Sequence, residues 1–135
     1  MGRYLLDSNA FLGAKDKPQT LRREAREIIQ ETQNALFVSV VSLWELADKA
    51  SKGKLPEFAT ILEQMPGTLE AALSESSFQL LPIKLAHIAS TYMLPLHHRD
   101  PFDRMMIAQA LVEDLTIITS DNAFQRYTGL RILSA

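Results

Sequence analysis

Four acidic side chains hold most of the chemical potential of this sequence: Asp7 in LLDSNAFL, Glu45 in VSLWELADK, Asp103 in RDPFDRMMIAQA and Asp121 in IITSDNAF. They are far apart along the chain, yet each falls where an apolar, strand-like run stops or a helix-like pattern begins. In a layered α/β domain such positions converge on one edge of one sheet. Carboxylates gathered there repel one another unless a hard, oxygen-seeking cation lies between them. The pattern therefore points to a divalent-metal site.

Each acid also has a structural use. Asp100-Pro101-Phe102-Asp103 reads as a helix start, with Asp100 as N-cap, proline at the first helical position and Asp103 facing the helix dipole. Ser42-Leu43-Trp44-Glu45 matches a capping box if its helix starts late; Val40 and Val41 fit an earlier start at Ser39, which leaves Glu45 inside the helix. Asp121 fits as N-cap of a short helix opening at Asn122. Asp7 ends an apolar run, with Ser8 or Asn9 available to cap the next segment, so it is the hardest of the four to explain structurally. Their joint placement says more than any one of them.

Other polar candidates carry less weight. His97, His98 and Arg99 form a basic run suited to a metal or a phosphate, although loop histidines are commonly just solvated. Lys49 stands four residues after Glu45, the ordinary spacing of a helical ion pair. Arg104 is placed either to pair with acids or to steer a nucleic acid. His87, between Lys84 and Ser90, is expected on the surface, and Trp44 in the core.

Composition excludes several classes. The 135 residues suit a single domain spanning 1–135, and 47% hydrophobic with 22% charged residues is ordinary globular usage. There is no cysteine, so disulfides, zinc–thiolate sites and thiol nucleophiles are ruled out. No apolar run is long enough to span a bilayer and MGRYLLD lacks a signal-peptide layout, so a soluble cytoplasmic protein with no membrane role is the expectation. The net charge of −2 is unevenly spread: residues 1–54 hold nine Lys/Arg against seven Asp/Glu (+2), and residues 55–135 five against nine (−4). The basic clusters at Lys15–Arg26 and Lys49–Lys54 fit phosphate contacts or, more simply, solvated helix faces.

The elements that must position the acids can be read from periodicity. Strands are expected at 3–6, 35–38, 78–83 (shortened by Pro82), 115–119 and 130–133. Helices are expected over 19–32 (Leu21, Ala25, Ile28, Ile29), from Val40 to Gly53, over 56–63 and 66–76, around Leu85–Tyr92, and from Pro101 with a buried stripe of Phe102, Met105, Met106, Ala110 and Val112. Strands separated by helices predict a three-layer α/β/α sandwich around a mostly parallel sheet of four or five strands. Ligands of such sheets bind beyond the carboxyl ends of the strands, where Asp7, Ser39 and Asp121 fall.

Taken together these segments resemble the PIN-domain ribonucleases, particularly the VapC toxins of bacterial and archaeal toxin–antitoxin pairs. LLDSNAFL resembles the opening motif, VSLWELADKASKGKL the second, and IITSDNAFQRY the last, with the T-x-D at Thr119 to Asp121. LPLHHRDPFDRMMIAQAL is the most specific, and the likeness covers nearly the whole chain. The resemblance implies metal-binding acids at Asp7, Glu45, Asp103 and Asp121, with Asp100 at the rim or capping the helix. It places Ser8, Asn9 and Thr119 as supports for the acids or ordered water, and Lys49, His98, Arg99 and Arg104 as the basic residues near RNA. It further implies Mg²⁺, with Mn²⁺ as substitute, endoribonuclease activity, a homodimer, and a VapB-like antitoxin whose tail lies over the groove.

Three alternatives remain. A housekeeping PIN nuclease in RNA maturation would have no antitoxin. A phosphohydrolase using Asp7 as nucleophile is disfavoured, because the haloacid-dehalogenase type needs a second aspartate where Asn9 stands. A non-catalytic binding module would not need all four acids.

Overall fold

The computed structural model describes residues 1–63 and 67–135. The elements run β1 (Arg3–Leu6), α1 (Ser8–Asp16), a 3-10 turn (Pro18–Thr20), α2 (Arg23–Gln30), β2 (Ala35–Ser39), α3 (Val40–Ser51), α4 (Pro56–Glu63) and α5 (Gly67–Ser74). They continue with β3 (Phe78–Leu81), α6 (Leu85–Met93), α7 (Pro101–Glu113), β4 (Thr116–Thr119), a second 3-10 turn (Asn122–Arg126) and β5 (Ile132–Ser134). The expected helix opening at Pro66 lies outside the described residues at its start.

All five strands are parallel, in the order β3-β2-β1-β4-β5. The chain builds outward from β1 through β2 to β3, then returns to the other side of β1 with β4. That reversal between β1 and β4 is the topological switch point, where the loops of a parallel sheet part and leave a crevice. Leu6 pairs with Val38 and Ile118 in register, so Asp7, Ser39 and Thr119 reach the same edge together.

The strands are apolar on both faces because helices cover both. Leu5 and Ile117 pack with Leu94, Met106, Ile107 and Phe124 on the side of α6 and α7. Leu6, Leu36, Val38 and Ile118 pack with Phe11, Ala25, Leu46 and Phe58 on the side of α1 to α4. Leu5, Leu6, Val38, Ile117 and Ile118 have no exposed surface. This is the α/β/α sandwich expected, with five strands.

Several local expectations change. The helix foreseen over 19–32 is broken, because Pro18 opens a 3-10 turn and Leu21 is extended (φ −83°, ψ 150°) before α2 begins. The helix after β2 takes the early start: Ser39 is its N-cap, accepting from Val41 N at 3.0 Å, and Ser42 instead donates to Met106 Sδ. Glu45 therefore lies inside α3, and no Ser42–Glu45 capping box forms. Gly53, at φ +77°, follows the helix end.

His87 is not on the surface. It is fully buried, its Nδ1 accepting from Lys84 N at 3.0 Å and its Nε2 2.8 Å from Glu113. Trp44 is not in the core; it is 63% exposed, edge-on to Phe102. The apolar stripe of α6 also points outward, with Leu85, Ile88, Tyr92 and Met93 exposed, and Val112 leaves the expected buried stripe of α7. Periodicity identifies the apolar face of a helix but not which side the rest of the chain covers.

One buried polar contact fastens the layers beneath the edge. Ser39 Oγ donates to Gln109 Oε1 at 2.5 Å, and Gln109 Nε2 donates to the Pro82 carbonyl at 3.2 Å, joining the ends of β2 and β3 to α7. Ser39 and Gln109 are both fully buried. Gln109→Leu strands the Ser39 hydroxyl and the Pro82 carbonyl, so it is expected to cost about 1–3 kcal/mol. Urea unfolding at unchanged m-value measures this; equal midpoints for variant and parent would show the contact contributes nothing.

Candidate functional site

The sheet edge is drawn tight. β1 enters α1 with Asp7 alone between them, and β2 enters α3 directly after Ser39. Asp7 is itself the N-cap of α1, its Oδ1 accepting from Ala10 N at 2.8 Å, so neither Ser8 nor Asn9 takes that role. Its Oδ2 accepts from Thr119 Oγ1 at the end of β4. Thr119 Oγ1 in turn accepts from Asp121 N at 3.0 Å, and Asp121 Oδ1 caps the following turn at Ala123 N, 2.9 Å away.

Two helices deliver the other acids. Glu45, within α3, accepts from Ser8 Oγ at 2.5 Å and lies 3.6 Å from Lys49 Nζ. Asp100 caps α7 through Phe102 N (2.9 Å) and Asp103 N (3.2 Å), with Pro101 in the first turn. Asp103, one step further along the helix, turns its carboxylate towards the cleft and His98 Nε2, 3.5 Å away.

Asp7, Glu45, Asp100, Asp103 and Asp121 line one polar cleft of about 220 Å³, together with Ser8, Asn9, Lys49 and Ser120. Thr119 supports Asp7 from beneath. His98, Arg99 and Arg104 are outside that lining. The Arg104 guanidinium donates to the carbonyls of Pro95 and Thr91, both at 2.9 Å, and of Leu94. It fastens the end of α6 to α7, so its donors are spent on the backbone of the α6 end. Ser120, and the His98–Tyr127 contact, had no signal in the motifs; Gln109 could have been noticed as a lone amide in an apolar helix run.

The electrostatics are those of crowded carboxylates. The Asp103 carboxyl is pushed up to about 7, first by desolvation and then by the charges of Asp100, Glu45, Asp121 and Asp7. Burial raises Asp7 too, opposed by the hydrogen bonds from Thr119 and Ala10, with Glu45 and Asp121 adding to the rise. Among the described residues no three acidic or histidine side chains stand in a geometry that would chelate an ion as they are. The donor set nonetheless fits a hard cation: oxygen ligands only, in excess of charge, around a cleft with room for water.

A family model described as PIN domain matches residues 4–130. The chain belongs to the PIN-domain family. Its fold is shared with several solved chains at low identity. VapBC2 from Rickettsia felis, bound to a DNA fragment from their promoter, aligns at 18% identity over 98% of this chain and 98% of that chain, with a TM-score of 0.73. DNA-bound VapBC from Salmonella typhimurium aligns at 21% over 99% and 98%, with a TM-score of 0.69. A toxin–antitoxin complex from Klebsiella pneumoniae aligns at 19% over 96% and 95%, with a TM-score of 0.57. No curated protein matches the sequence significantly. No helix of this PIN domain, among the described residues, is long and apolar enough to cross a membrane.

The raised Asp103 pKa has a consequence for the metal-free PIN domain. Folded Asp103 holds its proton up to about 7, whereas the unfolded chain releases it near 3.8. The stabilisation it lends is complete below the lower value and is lost as pH rises through the upper one. In chelator-treated protein, stability should therefore fall more between pH 5 and pH 8 for the parent than for Asp103→Asn. Thermal melts at both pH values measure this; equal losses would show that Asp103 titrates normally.

Proposed function

We propose that this PIN domain is a Mg²⁺-dependent endoribonuclease, the VapC-type toxin of a cytoplasmic toxin–antitoxin pair. The observation that carries the reading is the convergence of Asp7, Glu45, Asp103 and Asp121 in one polar cleft at the sheet's switch point. When bound, Mg²⁺ or Mn²⁺ supplies a nucleophilic water at neutral pH and offsets charge on the phosphate and the leaving oxygen. Asp7, Glu45, Asp103 and Asp121 would hold the cation.

The chain's own groups set the geometry. Asp7 is held on both oxygens, by Thr119 and the first turn of α1, so its carboxylate plane is fixed. Ser8 fixes Glu45 on one oxygen and leaves the other towards Lys49. Lys49 stands at the mouth, where its ammonium meets an incoming phosphate and draws the backbone into an otherwise acidic cleft. Asp103 would enter the ligand-holding state by losing the proton that burial and the neighbouring charges hold on it. Asn9, exposed at the rim, offers an amide to the substrate or an ordered water. Arg99, exposed on the loop before α7, is the further basic residue placed to meet RNA.

Two partners belong to this reading. A VapB-like antitoxin is supported by the neighbours, which are VapBC and toxin–antitoxin complexes, and by apolar hollows beside the acids. These run from Asn9 past Leu12 and Gly13 to Phe58, Leu69 and Leu73. A second copy is supported by α6, where Leu85, Tyr92, Met93 and Leu96 are 77–88% exposed with no charged residue between Leu85 and Leu96. Those four side chains with Ile88 make a run of exposed apolar residues along one short stretch of the chain, the kind of surface that an interface covers. An uncharged face also matches itself across a two-fold axis.

Asp7→Asn should bring Mg²⁺-dependent cleavage of RNA below detection without altering the circular dichroism. Asp103→Asn should do the same, while Asp100→Asn, at the rim of the cleft and bound up in capping α7, should lose about tenfold. Initial rates on a labelled RNA check the set; a fully active Asp7→Asn would sink the site assignment, and a harsher Asp100→Asn would exchange the roles of the two acids. Leu85→Lys with Tyr92→Lys should convert a dimer to a monomer in sedimentation equilibrium, and an unchanged mass would rule out α6 as the paired face.

A further inference from the structure

His98 stands outside the lining of the acidic cleft, yet its surroundings are specific. Its side chain is 17% exposed. The ring stands 5.9 Å from that of Phe124 and 5.5 Å from that of Tyr127. Nδ1 lies 2.8 Å from the Tyr127 hydroxyl oxygen. Nε2 is buried, has no hydrogen-bond partner among the described residues, and points to Asp103 Oδ2 at 3.5 Å. Phe124 and Tyr127 come soon after Asp121 in the chain and are 0% and 3% exposed, and Arg126 donates to the His97 carbonyl. The loop before α7 is thus fastened to the segment that starts with Asp121.

The partners set the tautomer. A neutral imidazole has one N–H and one lone pair, and the contact at one nitrogen sets the state of the other. If the Tyr127 hydroxyl donates to Nδ1, the ring proton sits on Nε2 and faces the Asp103 carboxylate. Against the ionised carboxylate, the form that would hold a cation, the opposite tautomer would aim a lone pair at a negative oxygen, which is unfavourable. Asp7, Glu45 and Asp121 each accept a hydrogen bond from a hydroxyl or a backbone N–H on a side-chain oxygen. For Asp103 the donor at hand is His98 Nε2, and a small rotation of the carboxylate closes the 3.5 Å gap to a hydrogen bond.

We propose that Tyr127 and His98 form a relay that orients Asp103, Tyr127 fixing the imidazole tautomer and Nε2–H fixing Oδ2, so that Oδ1 faces the cleft. Both are positioning residues, acting through Asp103 and not on the substrate. The effect on metal binding rests on the reading of Asp103 as a ligand; the tautomer does not.

Two measurements test the relay. Nitrogen-15 spectra of the neutral His98 ring in metal-free protein, taken well above pH 7 where Asp103 is ionised, should show the proton on Nε2, and Tyr127→Phe should shift the ring towards a tautomer mixture. Titration calorimetry with Mn²⁺ should show His98→Gln, whose amide reaches the Nε2 position, binding within about threefold of parent, and His98→Asn or His98→Leu weaker by about 10–100-fold. Thermal melts confirm that each variant is folded. A proton on Nδ1 in the parent, or an Asn variant that binds as well as the Gln variant, would overturn the relay. If the parent binds no divalent metal, the nuclease reading falls and the ring spectra alone decide the relay.

Discussion

The repulsion between carboxylates forced onto one sheet edge is the constraint that the surrounding structure answers. Parallel strands in register bring Asp7 and Thr119 to the same level, and α3 and α7 add Glu45, Asp100 and Asp103 from above. The local answer is a run of donors. Asp121 N–H donates to Thr119 Oγ1, which donates to Asp7 Oδ2, so one hydroxyl ties the central strands together and steadies the most buried acid. Ser8 does the same for Glu45. Burial first, and then the excess negative charge that these bonds leave over, hold the Asp103 proton on.

Helix capping and holding a cation would not be rival uses of these acids. Asp7, Asp100 and Asp121 all cap, each with Oδ1. A carboxylate has two oxygens with two lone pairs apiece, so a cap bond leaves capacity for a cation. The cap also does something for the site: it fixes the side-chain torsions, so less freedom is lost when an ion or substrate arrives. Glu45 and Asp103 make no cap bond, and the Asp103 carboxyl is pushed up to about 7.

Much of this arrangement was legible in the sequence, for identifiable reasons. The apolar runs before Asp7 and Asp121 mark strand ends because a strand buried on both faces must be apolar throughout. Val40 and Val41 favoured an early start for α3 over a capping box at Ser42. The Ser39 cap decides for the early start and so places Glu45 inside the helix. Asp100-Pro101 located α7. The misreadings share one cause. Leu85, Ile88 and Tyr92 are correctly spaced for a helix, but the side of α6 that meets α7 is formed by His87, Thr91 and Leu94. His87 looked like a surface residue because its partner Glu113 is 26 residues away. Trp44 looked like core because nothing in the local pattern shows that Phe102 covers only its edge. Long-range pairing decides these cases, and single-sequence periodicity is blind to it.

The parallel sheet also determines what leaves the fold where. β5 ends at the same edge as β1 and β4, Ala135 N donating to the Thr119 carbonyl, and Ala135 lies with Asn9 and Ser120 around a hollow next to the acids. Met1, 99% exposed, precedes the opposite end of β1. A polyhistidine tag joined to Ala135 would therefore hang its imidazoles beside the acidic cleft and compete for whatever cation it holds. The same tag joined to Met1 would sit at the far end of the sheet, so the choice of terminus decides whether a purification handle can masquerade as a ligand.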